Sequence, residues 1–185
     1  MQEVWRRQMG SDSEIHSAHK PIYILTGPIR NGKTTALMHW LAGKKNVAGI
    51  LTPDLNGVRK LYDIGTQEYF PFQIEDNSSP CEASITIGRF AFYQSAFEKA
   101  KGILRNALQK QAQLLIIDEI GRLELNYDGF EPLISEVIRA HQSNHLQSDL
   151  LVVVRDSLMQ KVLGHFGIER FEVMPLASLK LNRCK

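Results

Sequence analysis

Continuous apolar runs alternate with one-sided apolar stripes along this chain, a pattern that predicts strands interleaved with helices. The runs are Ile22-Tyr23-Ile24-Leu25, Val47-Ala48-Gly49-Ile50-Leu51-Thr52, Leu114-Leu115-Ile116-Ile117 and Leu150 to Val154, with a last strand expected over Ile168 to Val173. Runs that stay apolar, instead of alternating with polar residues, mark strands buried on both faces, as in a parallel sheet. The stripes fall between them. Leu37, Trp40 and Leu41 recur at helical spacing ahead of Gly43. Apolar residues at 93, 96, 97, 100, 104, 107 and 108 give one face of a long amphipathic helix, closed by Gln109 to Gln113. Phe130, Leu133, Ile134, Val137, Ile138 and His141 give another, with Pro132 suited to its first turn. A short helix is expected over Ser157 to Leu163. This order implies an α/β fold: a mainly parallel sheet with helices on both faces.

One stretch departs from the alternation. After Pro53-Asp54 ends the second strand, Leu55-Asn56-Gly57-Val58 supplies turn chemistry ahead of Arg59 to Ile64, and a further run covers Glu68 to Ile74. Pro71 inside that run lacks the N–H a central strand needs, so the pair reads as a small β-hairpin excursion at an edge. Glu75 to Glu82 is the most loop-like segment, and Ser84 to Phe90 is another short strand candidate. No repeat or linker divides the chain. Residues 21–185 are expected to form one domain behind a mobile N-terminal arm, 1–20. That arm carries Arg6, Arg7 and Lys20 without the apolar core of a signal peptide.

Composition excludes more than it identifies. A net charge of +2 on 185 residues gives no general pull toward nucleic acid or a membrane surface. No stretch reaches the length needed to span a bilayer. Cys81 and Cys184 are far apart and show no CxxC spacing, so two reduced thiols in a cytoplasmic protein are expected. The oligomeric state is left open, a monomer included.

The chemistry concentrates at Gly27-Pro28-Ile29-Arg30-Asn31-Gly32-Lys33-Thr34-Thr35, which satisfies G-x-x-x-x-G-K-[ST], the phosphate-binding loop. Its glycines let consecutive backbone N–H groups turn inward around phosphate oxygens. Lys33 adds a point charge on the β- and γ-phosphates, and the Thr34 hydroxyl is placed to ligate Mg²⁺. The helix that follows directs its unpaired N–H groups and its dipole at the anion. An apolar strand entering the loop and a helical stripe leaving it supply the context this motif requires.

Such a loop works with an acidic residue from a neighbouring strand. Leu114 to Ile117 followed by Asp118 fits that need (the Walker B element), with Asp118 holding the metal begun by Thr34. Glu119, one residue on, argues for hydrolysis, because a carboxylate there can take a proton from a water aligned on the γ-phosphorus. The plainer alternative is a glutamate paired with Arg122. Arg30 in the loop, Arg155 after the strand at Leu150 to Val154, and Arg122 are candidates for the cation that phosphoryl transfer gains from. His141 and His145 stand at i, i+4, but without a third ligand they read as a solvated helix end. Tyr62, Tyr69, Phe70 and Phe72 read as packing for the hairpin, the alternative being a ring stacked on a base.

With these residues in hand, the chain resembles the small P-loop nucleoside-triphosphatase family known from thermophiles and, in animals, as cancer-related nucleoside-triphosphatase. The matching pieces are GPIRNGKTT at 27–35, AGILTPD at 48–54, IGRF at 87–90 and, most specifically, LLIIDEIGRLEL at 114–125. Asp54 stands where the family has glutamate, and Phe90 where it has tyrosine. The resemblance implies a RecA-like three-layer sandwich and slow, Mg²⁺-dependent hydrolysis of ATP, GTP, CTP and UTP with little base preference. It also implies that Glu124 lies near the site. Two other functions suit the same motifs: a small nucleoside or nucleotide kinase, and a nucleotide-gated binding protein whose slow hydrolysis is a timer.

Overall fold

The computed structural model describes residues 20–75, 82–110 and 112–180. Of the arm expected over 1–20, residues 1–19 lie outside the described residues, as do Cys81 and Cys184. Lys20 donates to the Gln147 carbonyl and pairs with Asp149 at 3.1 Å.

From the amino end, strand β1 (Ile22–Gly27) leads through the glycine loop into helix α1 (Lys33–Leu41), and β2 (Val47–Leu51) follows. Then come the short β3 (Asp54–Leu55), β4 (Val58–Asp63) and β5 (Glu68–Pro71), and a hairpin of β6 (Ser84–Ile87) and β7 (Phe90–Tyr93). The long helix α2 (Gln94–Lys110) precedes β8 (Leu114–Ile120), and α3 (Leu133–Gln142) precedes β9 (Asp149–Arg155). Helix α4 (Met159–His165), strand β10 (Phe171–Met174) and helix α5 (Leu176–Lys180) end the described chain.

The main sheet runs β10-β1-β9-β8-β2-β4, with β3 and β5 both pairing with β4. Its five core strands are parallel, and β4 is antiparallel to β2. Because these strands are covered on both sides, alternate residues of one run enter different cores. Ile22 and Ile24 join Phe97, Leu104, Ile134, Val137 and Val162 on the face of α2, α3 and α4. Tyr23 and Leu25 join Leu37, Trp40 and Leu179 on the face of α1 and α5. Each fully buried Leu, Ile, Val or Phe contributes roughly 1.5–3 kcal/mol, whereas helix propensities differ by about 0.7 kcal/mol per residue at most among ordinary residues. Packing of the stripes therefore decides where the helices sit.

Several boundaries differ from the expectation. The excursion continues the main sheet as its antiparallel edge, with Pro71 ending β5 on the outermost pairing, opposite Lys60. Phe90 to Tyr93 is a separate strand turned back on Ser84 to Ile87 at Gly88-Arg89, so α2 begins one residue after Tyr93. β10 is displaced to Phe171–Met174, and α5 was not anticipated. α3 starts at Leu133 and ends at Gln142, so His141 and His145 do not share it; His141 is buried, not solvated, while His145 is exposed beyond the helix end. Burial against apolar neighbours lowers the His141 pKa, keeping the ring neutral.

β8 also runs past the acidic pair to Ile120, with a register shift between Asp118 and Ile120: Asp118 faces Val153 and Ile120 faces Val154. An extra residue on one strand of a ladder bends it and re-aims the side chains beside it. Glu119 is that residue.

Candidate active site

The carboxyl ends of β1, β8, β9 and β2 meet at one edge of the sheet, and the sequence-predicted residues are distributed around it. β1 delivers Gly27, and α1 begins at Lys33 after Gly32, whose φ of 83° lies in the left-handed region that glycine adopts without penalty. No side chain caps α1, so its first N–H groups are left for whatever lies in the loop. Lys33 is 7% exposed. Its ammonium donates to the Gly27 and Pro28 carbonyls, both at 2.8 Å, and to Asn31 Oδ1 at 3.2 Å. Burial lowers its pKa, while the carboxylates of Glu119, Asp118 and Asp156 pull it back up. Pro28, Ile29, Arg30 and Thr35 are exposed along the loop and the start of α1.

Across from the loop, Asp118 is 1% exposed. Its Oδ2 accepts the Thr34 hydroxyl at 2.8 Å and the Thr52 backbone N–H at 3.1 Å. Burial pushes the Asp118 carboxyl up to about 6, against the pull of these two hydrogen bonds and of the Arg59 charge. Thr34 and Asp118, separated by 84 residues, thus form one pair of hard oxygen donors. That pair suits Mg²⁺, which takes one or two protein oxygens and completes its shell with phosphate and water. Among the described residues no group of three or more His, Cys, Asp and Glu could hold a metal by itself. The donor set therefore fits a cation that arrives with phosphate.

Glu119 pairs with Arg155, whose Nε donates to Oε1, and not with Arg122. Arg155 lies opposite Gly27 in the β1–β9 register, which puts this ion pair beside the mouth of the loop. Arg122 is exposed and lines an open groove with Leu125, Asn126, Ser157 and Lys161, a lining that Glu119 does not share. The structure brings Lys33, Thr34, Asp118, Glu119 and Arg155 together. Arg30 remains on the rim.

Glu124 is 3% exposed. Its carboxylate accepts the Gly121 N–H at 2.8 Å and the Phe130 N–H at 3.3 Å, closing the loop between the acidic pair and α3. Gly129 allows this approach, since a Cβ there would meet Glu124 Oε1 at 2.5 Å. Burial pushes the Glu124 carboxyl up to about 7 from 4.5, despite those hydrogen bonds. A carboxyl raised in the folded state binds its proton more tightly there than in the unfolded chain. Its contribution to stability is therefore full below the unfolded pKa and is lost as pH rises through the folded one. Glu124→Gln removes the charge but keeps one acceptor oxygen for the two backbone N–H groups, so its melting temperature should fall below the parent near pH 4.5 and the deficit should shrink by pH 8. Asp118 shifts the same way, but it is present in both proteins and cancels in the comparison. Melting curves across that range check this; parallel pH profiles would count against it.

Sequence reasoning overlooked three neighbours of the site. Thr52 acts through its backbone and so leaves only the Gly-Ile-Leu-Thr stretch as a trace. Asp156 and Arg59 are charged residues on segments with no motif of their own, near Lys33 and Asp118 respectively.

This fold recurs in known proteins. The crystal structure of THEP1 from the hyperthermophile Aquifex aeolicus is similar with a TM-score of 0.64 and 18% identity, over 85% of this chain and 90% of that one. The solution structure of a human cancer-related nucleoside triphosphatase is similar with a TM-score of 0.55 and 22% identity, over 84% of this chain and 89% of that one. At such identities the likeness shows the fold. None of the curated proteins compared matches the chain. The model of the NTPase family, however, matches residues 22–176, which include the loop, the acidic pair and Arg155, and the chain belongs to that family.

Proposed function

We propose that this protein hydrolyses nucleoside triphosphates (ATP, GTP, CTP and UTP) to diphosphate and phosphate, with Mg²⁺ as cofactor. The observation that carries the reading is the Thr34–Asp118 hydrogen bond at 2.8 Å with Glu119 next in sequence. It joins a phosphate loop, a cation site and a second carboxylate at one edge. The loop residues Gly27 to Thr35 and the α1 N-terminus hold the phosphates. Lys33 carries its charge to the β- and γ-oxygens, exchanging its loop carbonyls for phosphate. Thr34 and Asp118 would hold Mg²⁺, which would supply positive charge against the charge that develops in phosphoryl transfer.

Glu119 accepts the proton of the attacking water, and Arg155 supplies positive charge to the transferring group. The pairing of these two residues suits slow turnover, because Arg155 has to leave Glu119 for phosphate before the carboxylate is free to act. Broad base preference accords with a site whose residues address phosphate and metal. Arg30, on the rim, is the weaker candidate for a catalytic cation. A cytoplasmic location agrees with reading Cys81 and Cys184 as thiols; no helix among the described residues is long and apolar enough to cross a membrane.

Phosphate release from the four triphosphates, with and without Mg²⁺, tests the reading. Lys33→Ala removes charge-assisted hydrogen bonds, so nucleotide should bind roughly 10- to 100-fold more weakly and turnover should fall to background. Undiminished release in that variant would sink the assignment. One observation favours a second reading, phosphoryl transfer to an acceptor: the open groove of about 780 Å³ lined by Arg122, Lys161 and His165, on the segments that follow Glu119 and Arg155 in the chain. Label appearing on an added nucleoside or nucleotide, in place of free phosphate, would make the protein a kinase.

A further inference from the structure

The strand edge beyond β2 carries a cation to which no motif draws attention. Arg59 opens the inner part of β4, where it faces Asp54 across the β3–β4 ladder. Its backbone is held from both sides by Gln73: the Gln73 N–H donates to the Arg59 carbonyl at 3.0 Å, and Gln73 Oε1 accepts the Arg59 N–H at 3.4 Å. Gln73 is itself buried and bridges to Phe92 of β7. The next residue, Lys60, donates its N–H to the Pro53 carbonyl, one residue past the Thr52 amide that binds Asp118. Backbone pairing therefore ties the Arg59 position to the Asp118 side of the site.

The guanidinium is equally defined. It lies over the Phe90 ring at 6.0 Å, and the same ring carries the Arg89 guanidinium at 4.9 Å. Among the described residues no carboxylate lies within ion-pair distance of either arginine. Arg59 is half-buried, unlike the exposed Arg89. Two cations held at one aromatic ring, neither matched by a carboxylate among the described residues, favour an added anion. The Arg59 charge is felt at Asp118, where it pulls the carboxyl down. Asp54, which Arg59 faces in the ladder, is two residues past Thr52, whose amide binds Asp118, so an extended arginine side chain from this position is within reach of a phosphate tail beside that carboxylate.

We propose that Arg59, steadied on the Phe90 ring, contacts the terminal phosphate of the bound nucleotide from the β2–β4 side, opposite Arg155 on the β9 side. This rests on the triphosphatase reading and adds to it a residue that distinguishes triphosphate from diphosphate. The γ-phosphate carries most of the charge lost on hydrolysis. A cation placed there holds substrate more tightly than product and stabilises charge on the equatorial oxygens during transfer. The fork of an arginine suits that trigonal group better than the point charge of a lysine.

The test is calorimetric titration of the full chain with a non-hydrolysable triphosphate analogue and with the diphosphate, both with Mg²⁺, alongside steady-state turnover. Arg59→Ala should weaken the analogue by roughly 10- to 100-fold and leave the diphosphate within about twofold. Arg59→Lys should recover part of the loss, and Phe90→Leu should show a smaller loss in the same direction. If the alanine variant does not fold, those two variants carry the test. Equal affinities for the analogue in folded parent and variant would overturn the inference. So would a variant whose only change is tighter Mg²⁺ binding without nucleotide, which would make Arg59 merely the counter-charge of Asp118. A parent protein that binds neither nucleotide would fail earlier, removing the triphosphatase reading and this inference with it.

Discussion

Glu119→Gln is expected to bind nucleotide and Mg²⁺ as the parent does while losing turnover by roughly 10²- to 10⁴-fold, the usual contribution of a positioned general base. The substitution removes one oxygen's basicity and nothing of the loop. Lys33, Thr34 and Asp118 keep their mutual contacts, because none of them is made through Glu119. Arg155 loses its carboxylate partner. With that restraint gone, its guanidinium is freer to turn to phosphate, so affinity for the triphosphate should hold or rise slightly. Phosphate release under single-turnover conditions, set beside an equilibrium titration, separates the two effects. Equal loss of binding and turnover would instead mean that Glu119 organises the site and does no proton transfer. Unchanged turnover would remove it from the chemistry.

The second large effect is on stability. Gly49→Ala should destabilise the fold by about 3–5 kcal/mol, combining overpacking against rigid backbone with a strained φ. Gly49 lies in β2 at φ 121°, and a Cβ there would collide with the carbonyl and amide of Ile116, its partner in the β2–β8 ladder. Neither strand can move away without opening the pairing that brings Thr52 to Asp118. For a chain of this size such a loss lowers Tm by roughly 10 °C. Gly102 provides the contrast. It sits within α2 with nothing near its would-be Cβ, so Gly102→Ala should stabilise by about 0.5–1 kcal/mol through helix propensity. A Tm for Gly49→Ala within a degree or two of the parent would show that β2 and β8 have room for a methyl group between Gly49 and Ile116.

How far this protein can be read from its residues depends on the distance over which each feature is decided. Five core strands and three main helices announce themselves locally, since a strand covered on both faces must be apolar throughout and a helix on the sheet must be apolar on one stripe. The phosphate loop is local as well: nine consecutive residues carry their own turn, charge and hydroxyl. Asp118 was legible because its strand is. Long-range neighbours left much weaker traces. Nothing in the spacing of Glu119, Arg122 and Arg155 says which arginine meets the carboxylate; the β8 bulge and the parallel registers of β8, β9 and β1 chose Arg155. Helical spacing grouped His141 with a solvated end, whereas the closing of α3 onto the sheet buries it.

Phe90 to Tyr93 and Arg59 show the same limit at the edge. Phe90 reads as the end of the strand from Ser84 and Tyr93 as the start of the helical stripe, until pairing with Ser84 to Ile87 joins them in one strand. A lone arginine on a hairpin carries no signal in the sequence until the hairpin folds beside the site. By itself the sequence determined the class of fold, the loop and the acidic pair, with the oxygens proposed for Mg²⁺, because propensity, burial pattern and motif chemistry act over a few residues. Tertiary structure alone decided the Glu119–Arg155 pairing, the burial of Glu124 and the placing of Arg59, because those depend on strand register and on which surfaces exclude water.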